Sequence, residues 1–494
     1  MKRVINYIFN ISTLAIVSAI LMLTACEQSY PGIEYEKEDN NITNDEASHS
    51  TPIQLFVDEP SLFSITATRG TGSVDKGEDD WNERRKNMKL QVFAFNKDGA
   101  DMRETMAARH GEDAPDYKYC LIDNEETSGS KYYIGRNTRL IDDEGLEFIS
   151  NEETNQTEQL YYSSKHQEQG YNFFAYYIDD FVPNSSNTYR NRDEIYHNID
   201  IDGSQDIMCG YAPQPTYYSV LHALNYTGFE KAPAANETDR ARQEQDAAYF
   251  INNMLTPTEK TDVSNILNYG FSTYSAHRGV NPIIKVKHML TRLKFEAYPG
   301  DESAKDIIIT DIVIKSRTKA KLTVAANDLT KIGLTFDQSE PQRELYLREK
   351  PANGFGPTVE LNTEYRVDIQ EDERGLLWHQ RTPTPIGDCM LVEPAEELEL
   401  ILFYKENRPD SSVDGNDNWI PNRLKYRIIP SKDGGDSYDK ESNTYRFKAG
   451  YSYVVKIAVY GMQPIEVSAS IEGWKVGGDI IIDPDDPDNS DILM

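Results

Sequence analysis

From Ile465 to Ile471 every second residue is apolar: Ile465, Val467, Ala469 and Ile471 alternate with Glu466, Ser468 and Ser470. Successive side chains on a strand point to opposite faces, so this period predicts a β-strand with one buried face, closed by Trp474. Tyr453 to Tyr460 predicts the strand before it, joined through a Gly461-Met462-Gln463-Pro464 turn. Beyond a Gly477-Gly478 hinge, Ile480-Ile481-Ile482 is a last short apolar segment ahead of an acidic tail.

Strand patterns recur through the body. Leu90 to Phe95 is a short strand followed by an Asn96-Lys97-Asp98-Gly99 turn. Tyr171-Asn172-Phe173-Phe174-Ala175-Tyr176-Tyr177 is aromatic on both faces and predicts a buried strand. Between Lys285 and Ala297 the alternation Val286, His288, Leu290 slips to Leu293, Phe295, Ala297, which suggests a bulge or a twist. Ile307 to Ile314 and Lys321 to Ala325 look like the two arms of a hairpin. Residues 237–255 break the strand pattern. Asn236 or Thr238 offers an N-cap, Glu237 and Asp239 suit a first turn, and Ala241, Ala248, Phe250, Ile251 and Leu255 give an imperfect helical face.

The N-terminus has another pattern. Lys2 and Arg3 precede an apolar stretch that ends in Leu23-Thr24-Ala25-Cys26. Cations, an apolar segment and small residues before a cut site mark a secretory signal. The stretch is long enough to cross a bilayer, but the Leu-Thr-Ala-Cys end and the polar chain after it favour a lipoprotein signal, with acyl chains such as palmitate on Cys26. Residues 27–50 carry Glu27, Glu34, Glu36, Glu38, Asp39, Asp45 and Glu46 with few apolar positions, and read as an acidic tether. The expected organisation is a signal over 1–26, the tether over 27–50, a β domain over 51–280 with a helical insertion near 237–255, a second β domain over 281–482 and an acidic tail over 483–494. The second domain begins where Asn281-Pro282 precedes a new strand.

Composition supports a mainly β body and excludes one class of partner. Thirty-one tyrosines among 494 residues suit strands. A net charge of −31 argues against nucleic acid, which requires clustered Lys and Arg. Mean hydropathy is −0.64. Of the four cysteines, acylation of Cys26 leaves Cys120, Cys209 and Cys389, so at most one internal disulfide can form. Cys209 and Cys389 sit beside apolar residues and read as small buried hydrophobes.

Catalytic and metal-binding patterns are weak, and no catalytic, cofactor or metal residue is assigned. There is no G-x-S-x-G and no H-E-x-x-H. Ser73-Val74-Asp75-Lys76 fits S-x-x-K only inside a polar linker, and His288 lies between apolar strand residues as a core histidine would. Asp410 to Asp417 places Gly415 at the sixth position of a calcium loop, but Pro421 stands at the twelfth, where a Glu is required. It reads as a solvated loop, and Asp483 to Asp491 as a solvated tail. A spatial pair of carboxylates, as in glycosidases, leaves no sequence signature.

Several stretches, in order, resemble the fimbrillin-like family of Bacteroidetes, the lipoprotein-derived subunits of type V pili. They are Ala67-Thr68-Arg69-Gly70-Thr71-Gly72, the Tyr171 to Tyr177 strand, Asp206-Ile207-Met208-Cys209-Gly210, His288-Met289-Leu290-Thr291-Arg292-Leu293-Lys294-Phe295 and Phe447-Lys448-Ala449-Gly450-Tyr451-Ser452-Tyr453. Together with the Cys26 motif they span most of the chain, and the 211–280 region matches least.

The resemblance implies two tandem β-sandwich domains of Greek-key, transthyretin-like type with a short helical insertion. It also implies a non-enzymatic structural or adhesive role at the cell surface. The precursor would be anchored to the outer membrane through Cys26. A trypsin-like protease would then cut after Arg69, with Arg84-Arg85-Lys86 as a competing position. Loss of residues 26–69, whose body-facing part runs from Ile53 to Thr68 with Phe63, Ile65 and Ala67 alternating, would open an apolar groove. A strand of another pilus subunit, carrying Ile465, Val467, Ala469 and Ile471, would fill it, since an open sheet edge is a template for a further strand. Without the cut, the chain would be an anchor subunit that keeps its lipid. A surface glycan-binding lipoprotein of a nutrient uptake system is the alternative, and it requires an exposed aromatic platform.

Overall fold

The computed structural model describes residues 51–57, 89–97, 108–109, 121–123, 131–133, 135–141, 145–151, 156–157, 159–163, 166–184, 186–226, 229, 237–300, 302–349, 359–366, 383–407, 419–430, 437–439, 443–460 and 466–472. Cys26, the tether, Phe63, Ile65, Ala67, Arg69, Ser73 to Lys76, Arg84 to Lys86, Cys120, both acidic stretches, Ile465 and Trp474 lie outside them.

The longer strands of the first half are β1 (Leu55–Val57), β2 (Lys89–Asn96), β3 (Arg136–Leu140), β4 (Gly145–Phe148), β5 (Tyr171–Ile178), β6 (Thr188–Arg190), β7 (Glu194–Asp200) and β8 (Ile207–Tyr211). Four helices follow: α1 (Tyr217–Ala223), α2 (Glu237–Met254), α3 (Pro257–Tyr269) and α4 (Thr273–Ala276). The chain continues with β9 (Ile283–His288), β10 (Thr291–Pro299), β11 (Ile307–Ser316), β12 (Lys319–Ala326), β13 (Gly333–Phe336) and β14 (Arg343–Tyr346). It ends with β15 (Thr384–Val392), β16 (Leu398–Asn407), β17 (Trp419–Ile428), β18 (Ser452–Val459) and β19 (Glu466–Glu472).

The fold is mainly β, but its first sheet closes on itself. β1, β9, β8, β5, β2, β3 and β4 form a barrel in that order, where two open layers were expected. Closure depends on β1, which pairs antiparallel with β4 and parallel with β9. The aromatic strand β5 runs through the middle of this sheet, between β2 and β8. Its outer side packs on β12, part of the sheet β6-β7-β12-β13. A strand covered on both faces has no reason to alternate, which accounts for its sequence. Two further sheets, β15-β10-β18-β19 and β14-β11-β16-β17, send residues into a second apolar cluster that includes Leu293, Phe295, Ile312, Ile314, Leu400 and Val455.

Two sequence expectations change. The slip between Val286 and Leu293 is not a bulge in one strand. β9 belongs to the barrel, and after Met289-Leu290 the chain enters another sheet as β10, so the apolar phase resets as the chain passes from one core to the other. Ile307 to Ile314 and Lys321 to Ala325 do not form a hairpin either. β11 pairs with β14 and β16, whereas β12 pairs with β7 and β13. Ile307, Ile309, Ile312 and Ile314 fill the second cluster, while Ala320, Leu322, Val324 and Ala325 fill the first.

The helix expected near 237–255 is α2. Its companion α3 begins with Thr256 as N-cap in a reciprocal capping box with Glu259, and Pro257 follows the cap. No helix of the described residues is long and apolar enough to cross a membrane. Cys209 and Cys389 are buried thiols, and burial pushes them up to about 12 and about 11. His288 is buried, with Nδ1 2.9 Å from Asp206 Oδ1, as a core histidine should be.

Burial also gives the first core two opposed responses to pH. His197 packs against the rings of Tyr176 and Phe181, and its Nδ1 lies 3.0 Å from Thr188 Oγ1 while Nε2 has no hydrogen-bond partner. Burial holds its pKa down from 6.5 to about 3. A depressed histidine stabilises the fold above its unfolded pKa, and that contribution is lost as pH falls toward the folded value. Asp179 behaves in the opposite sense. Burial, then the neighbouring Asp206 charge, pushes its carboxyl from 3.8 up to about 6. Its contribution is full below about 4 and is lost as pH rises through about 6. His197→Phe is therefore expected to spare about 3 kcal/mol of the acid destabilisation between neutral pH and about pH 4. Urea midpoints measured against pH test this, and an unchanged acid slope in the variant would refute it.

Candidate functional site

The barrel is closed by very little chain. In the stretch Ile53 to Val57, Ile53 (2% exposed), Leu55 (1%) and Val57 (0%) point into the core. Gln54 and Phe56 are half-buried on the outer side. Full burial of each aliphatic side chain is worth ~1.5–3 kcal/mol. Leu55 is in register with Leu146 of β4, and Val57 with Ile284 of β9. Phe56 N–H donates to Pro282 O at 3.0 Å. Removal of this strand would leave β4 and β9 as two unpaired edges facing an apolar gap.

Residues 51–53, just before β1, are held by a second set of contacts. Ile53 N–H donates to Leu160 O (3.0 Å), and Tyr162 N–H donates to Thr51 O (2.9 Å). The Gln159 amide donates to both Ile53 O (3.0 Å) and Leu160 O (2.7 Å). His277 Nε2 lies 2.8 Å from Thr51 Oγ1. Gln159 and His277 were missed in the sequence because isolated polar residues carry no motif.

At the other end of the chain, β19 is an edge strand. It pairs antiparallel with β18 and has no strand on its far side among the described residues. Val467, Ala469 and Ile471 stand opposite Ile457, Val455 and Tyr453, all three fully buried in the second cluster. Three of the four expected strand-exchange residues are thus placed on one strand, at register positions opposite core residues. β17 runs near β19. β17 is the edge of its own sheet and carries exposed Pro421, Arg423, Lys425 and Arg427. Proline and cations on an edge discourage the addition of a further strand.

Tyrosine pairing at the surface has a local explanation. Tyr189 and Tyr196 stack at 5.0 Å with a 14° interplanar angle, and Lys321 Nζ is 4.1 Å from the Tyr196 ring centre. The two tyrosines are direct cross-strand partners on β6 and β7, and such pairs stabilise a sheet. Among the described residues no group of three or more His, Cys, Asp or Glu side chains could hold a metal ion.

No family model matches the chain, and no curated protein matches it. Solved structures do resemble it. A fimbrial protein from Bacteroides vulgatus aligns over 86% of this chain and 99% of its own, at 11% identity and a TM-score of 0.41. A putative cell adhesion protein from Bacteroides ovatus aligns over 88% and 99%, at 9% identity and a TM-score of 0.34. The fimbrial anchor protein Mfa2 from Porphyromonas gingivalis aligns over 86% and 98%, at 10% identity and a TM-score of 0.26. At these identities and TM-scores the likeness is distant.

Proposed function

We propose that the chain is a structural or adhesive subunit of a surface fimbrium, exported as a lipoprotein on Cys26 and assembled by strand exchange after a cut at Arg69. The observation that carries this reading is the closure of the barrel by β1 alone, within the segment that a cut at Arg69 would release. The vacated gap has the shape of a strand and the polarity of a core. It needs a strand with an apolar residue at every second position, and Ile465 to Ile471 meets that need in the same chain. The occupant would come from a second copy or a related subunit.

The two-domain organisation belongs to this proposal. The barrel with its helical insertion would offer the groove, and the body built on the second apolar cluster would offer β19. A synthetic peptide of residues 465–471 should bind the chain after removal of residues 26–69, and should not bind the intact chain, whose gap is filled. Fluorescence anisotropy of the labelled peptide reads this directly. Absence of binding to a folded trimmed chain would sink the reading.

A further inference from the structure

The segment that closes the barrel is fastened a second time by Gln159 to Tyr162 and by His277, at the end of the helical region. Residues 51–53 lie along Gln159 to Tyr162 as a short antiparallel pair, with Pro52 bridged to Tyr161. That pair is braced by the turn after α3. Thr273 Oγ1 donates to Ser163 O at 2.7 Å, and Tyr274 N–H donates to Gln167 O at 3.1 Å. The support is tied back to the barrel where Tyr171 N–H donates to Phe271 O at 2.8 Å. Ser272, Thr273 and Ser275 are buried, and Ser275 Oγ reaches Gly270 O at 2.5 Å. Gly270 enters this turn with φ 70, a left-handed value that suits glycine. His277 caps the turn, and its ring reaches Thr51.

We propose that Gln159 to Ser163, braced by the Phe271 to His277 turn, is a clasp that grips residues 51–53 and sets how readily the N-terminal strand leaves the barrel. This rests on the reading that the strand leaves at all. The division of labour follows from the geometry. The barrel supplies burial for Leu55 and Val57, which cannot be lost stepwise. The clasp supplies polar contacts at the N-terminal end of the segment, and polar contacts of that kind can open locally without exposing the core. Gln159 and His277 are positioning residues. Gln159 spans the backbone carbonyls of both partners, and His277 ties the segment to a different element altogether. The turn that ends the helical region thereby becomes a brace for strand release, and its sequence can tune that release without altering the groove.

Amide hydrogen exchange of the intact chain, followed by mass spectrometry, tests the clasp. In a Gln159→Ala/His277→Ala double variant, the amides of residues 53–57 should exchange about tenfold faster, since polar contacts of this kind each shift a local opening several-fold. Thr273→Val, which removes the brace to Ser163, should act in the same direction without touching residues 51–57. Exchange in β18 should stay at the parent rate in both. Unchanged exchange at 53–57, or an equal acceleration in β18, would overturn the proposal. Faster exchange at 53–57 alone supports the clasp. If the trimmed chain then fails to capture the 465–471 peptide, the clasp stands and the strand-exchange reading falls.

Discussion

Leu55→Asp is expected to cost the intact chain about 4 kcal/mol or more, while Gln54→Glu one residue earlier should cost less than about 0.5 kcal/mol. Leu55 is 1% exposed and faces the barrel core, where a carboxylate would find no partner and the lost aliphatic side chain would leave a cavity. Gln54 is half-buried on the outer face, where an added charge stays solvated. A period-two difference of this size over two adjacent residues is the signature of a strand that seals a core rather than one that decorates it. Urea denaturation of the chain beginning after Cys26 reads both effects. The difference should be confined to the form that still carries residues 51–57, because the trimmed polypeptide of either variant is the same molecule. A loss of under about 1 kcal/mol for Leu55→Asp would show that β1 is peripheral, and would remove the groove on which strand exchange depends.

The strands themselves were largely legible in the sequence, and their partners were not. Ser452 to Val459 and Glu466 to Glu472 could be read because one face of each is apolar and the turn between them is short. The parallel pairing of β10 with β18, from Arg292 with Ser452 to Pro299 with Val459, joins segments far apart in the chain, and no local pattern encodes it. The supposed hairpin of Ile307 to Ile314 with Lys321 to Ala325 failed for a related reason. Proximity in sequence favours pairing, but each strand had a stronger claim on it from a different apolar cluster. α3 was legible and went unread: Thr256-Pro257-Thr258-Glu259 is a capping box with proline at the first helical position. As for the candidate site, the alternation at 465–471 pointed to one half of it. The other half rests on the three-residue strand Leu55–Val57, which is too short for periodicity to separate from a loop.

Arg69→Ala is expected to abolish assembly and to hold the protein on the membrane. A trypsin-like protease needs a cation at the cut and an accessible chain around it. Gly70 and Gly72 follow Arg69, and the polar run of Asp75, Lys76, Gly77, Glu78, Asp79 and Asp80 continues after them. Cleavage there would do two things in one step. It would sever the body from the acylated Cys26, and it would free β1 to leave, since only the N-terminal side of the cut contains Leu55–Val57. Before such a cut β1 would be covalently part of the subunit and would return to its gap. After it, the strand could diffuse away, and an incoming strand of greater length would compete for the same edges. In the variant the local concentration of β1 stays high, so a competitor gains nothing. Cells producing Arg69→Ala should therefore retain fatty-acid label on the protein and yield monomers, whereas the parent should yield SDS-resistant ladders without label. The N-terminal sequence of protein sheared from parent cells decides the matter. A start at Gly70 fits a shaft subunit. An acylated Cys26 in assembled parent material would instead make this chain an anchor that keeps β1 in place, and the groove would then never open.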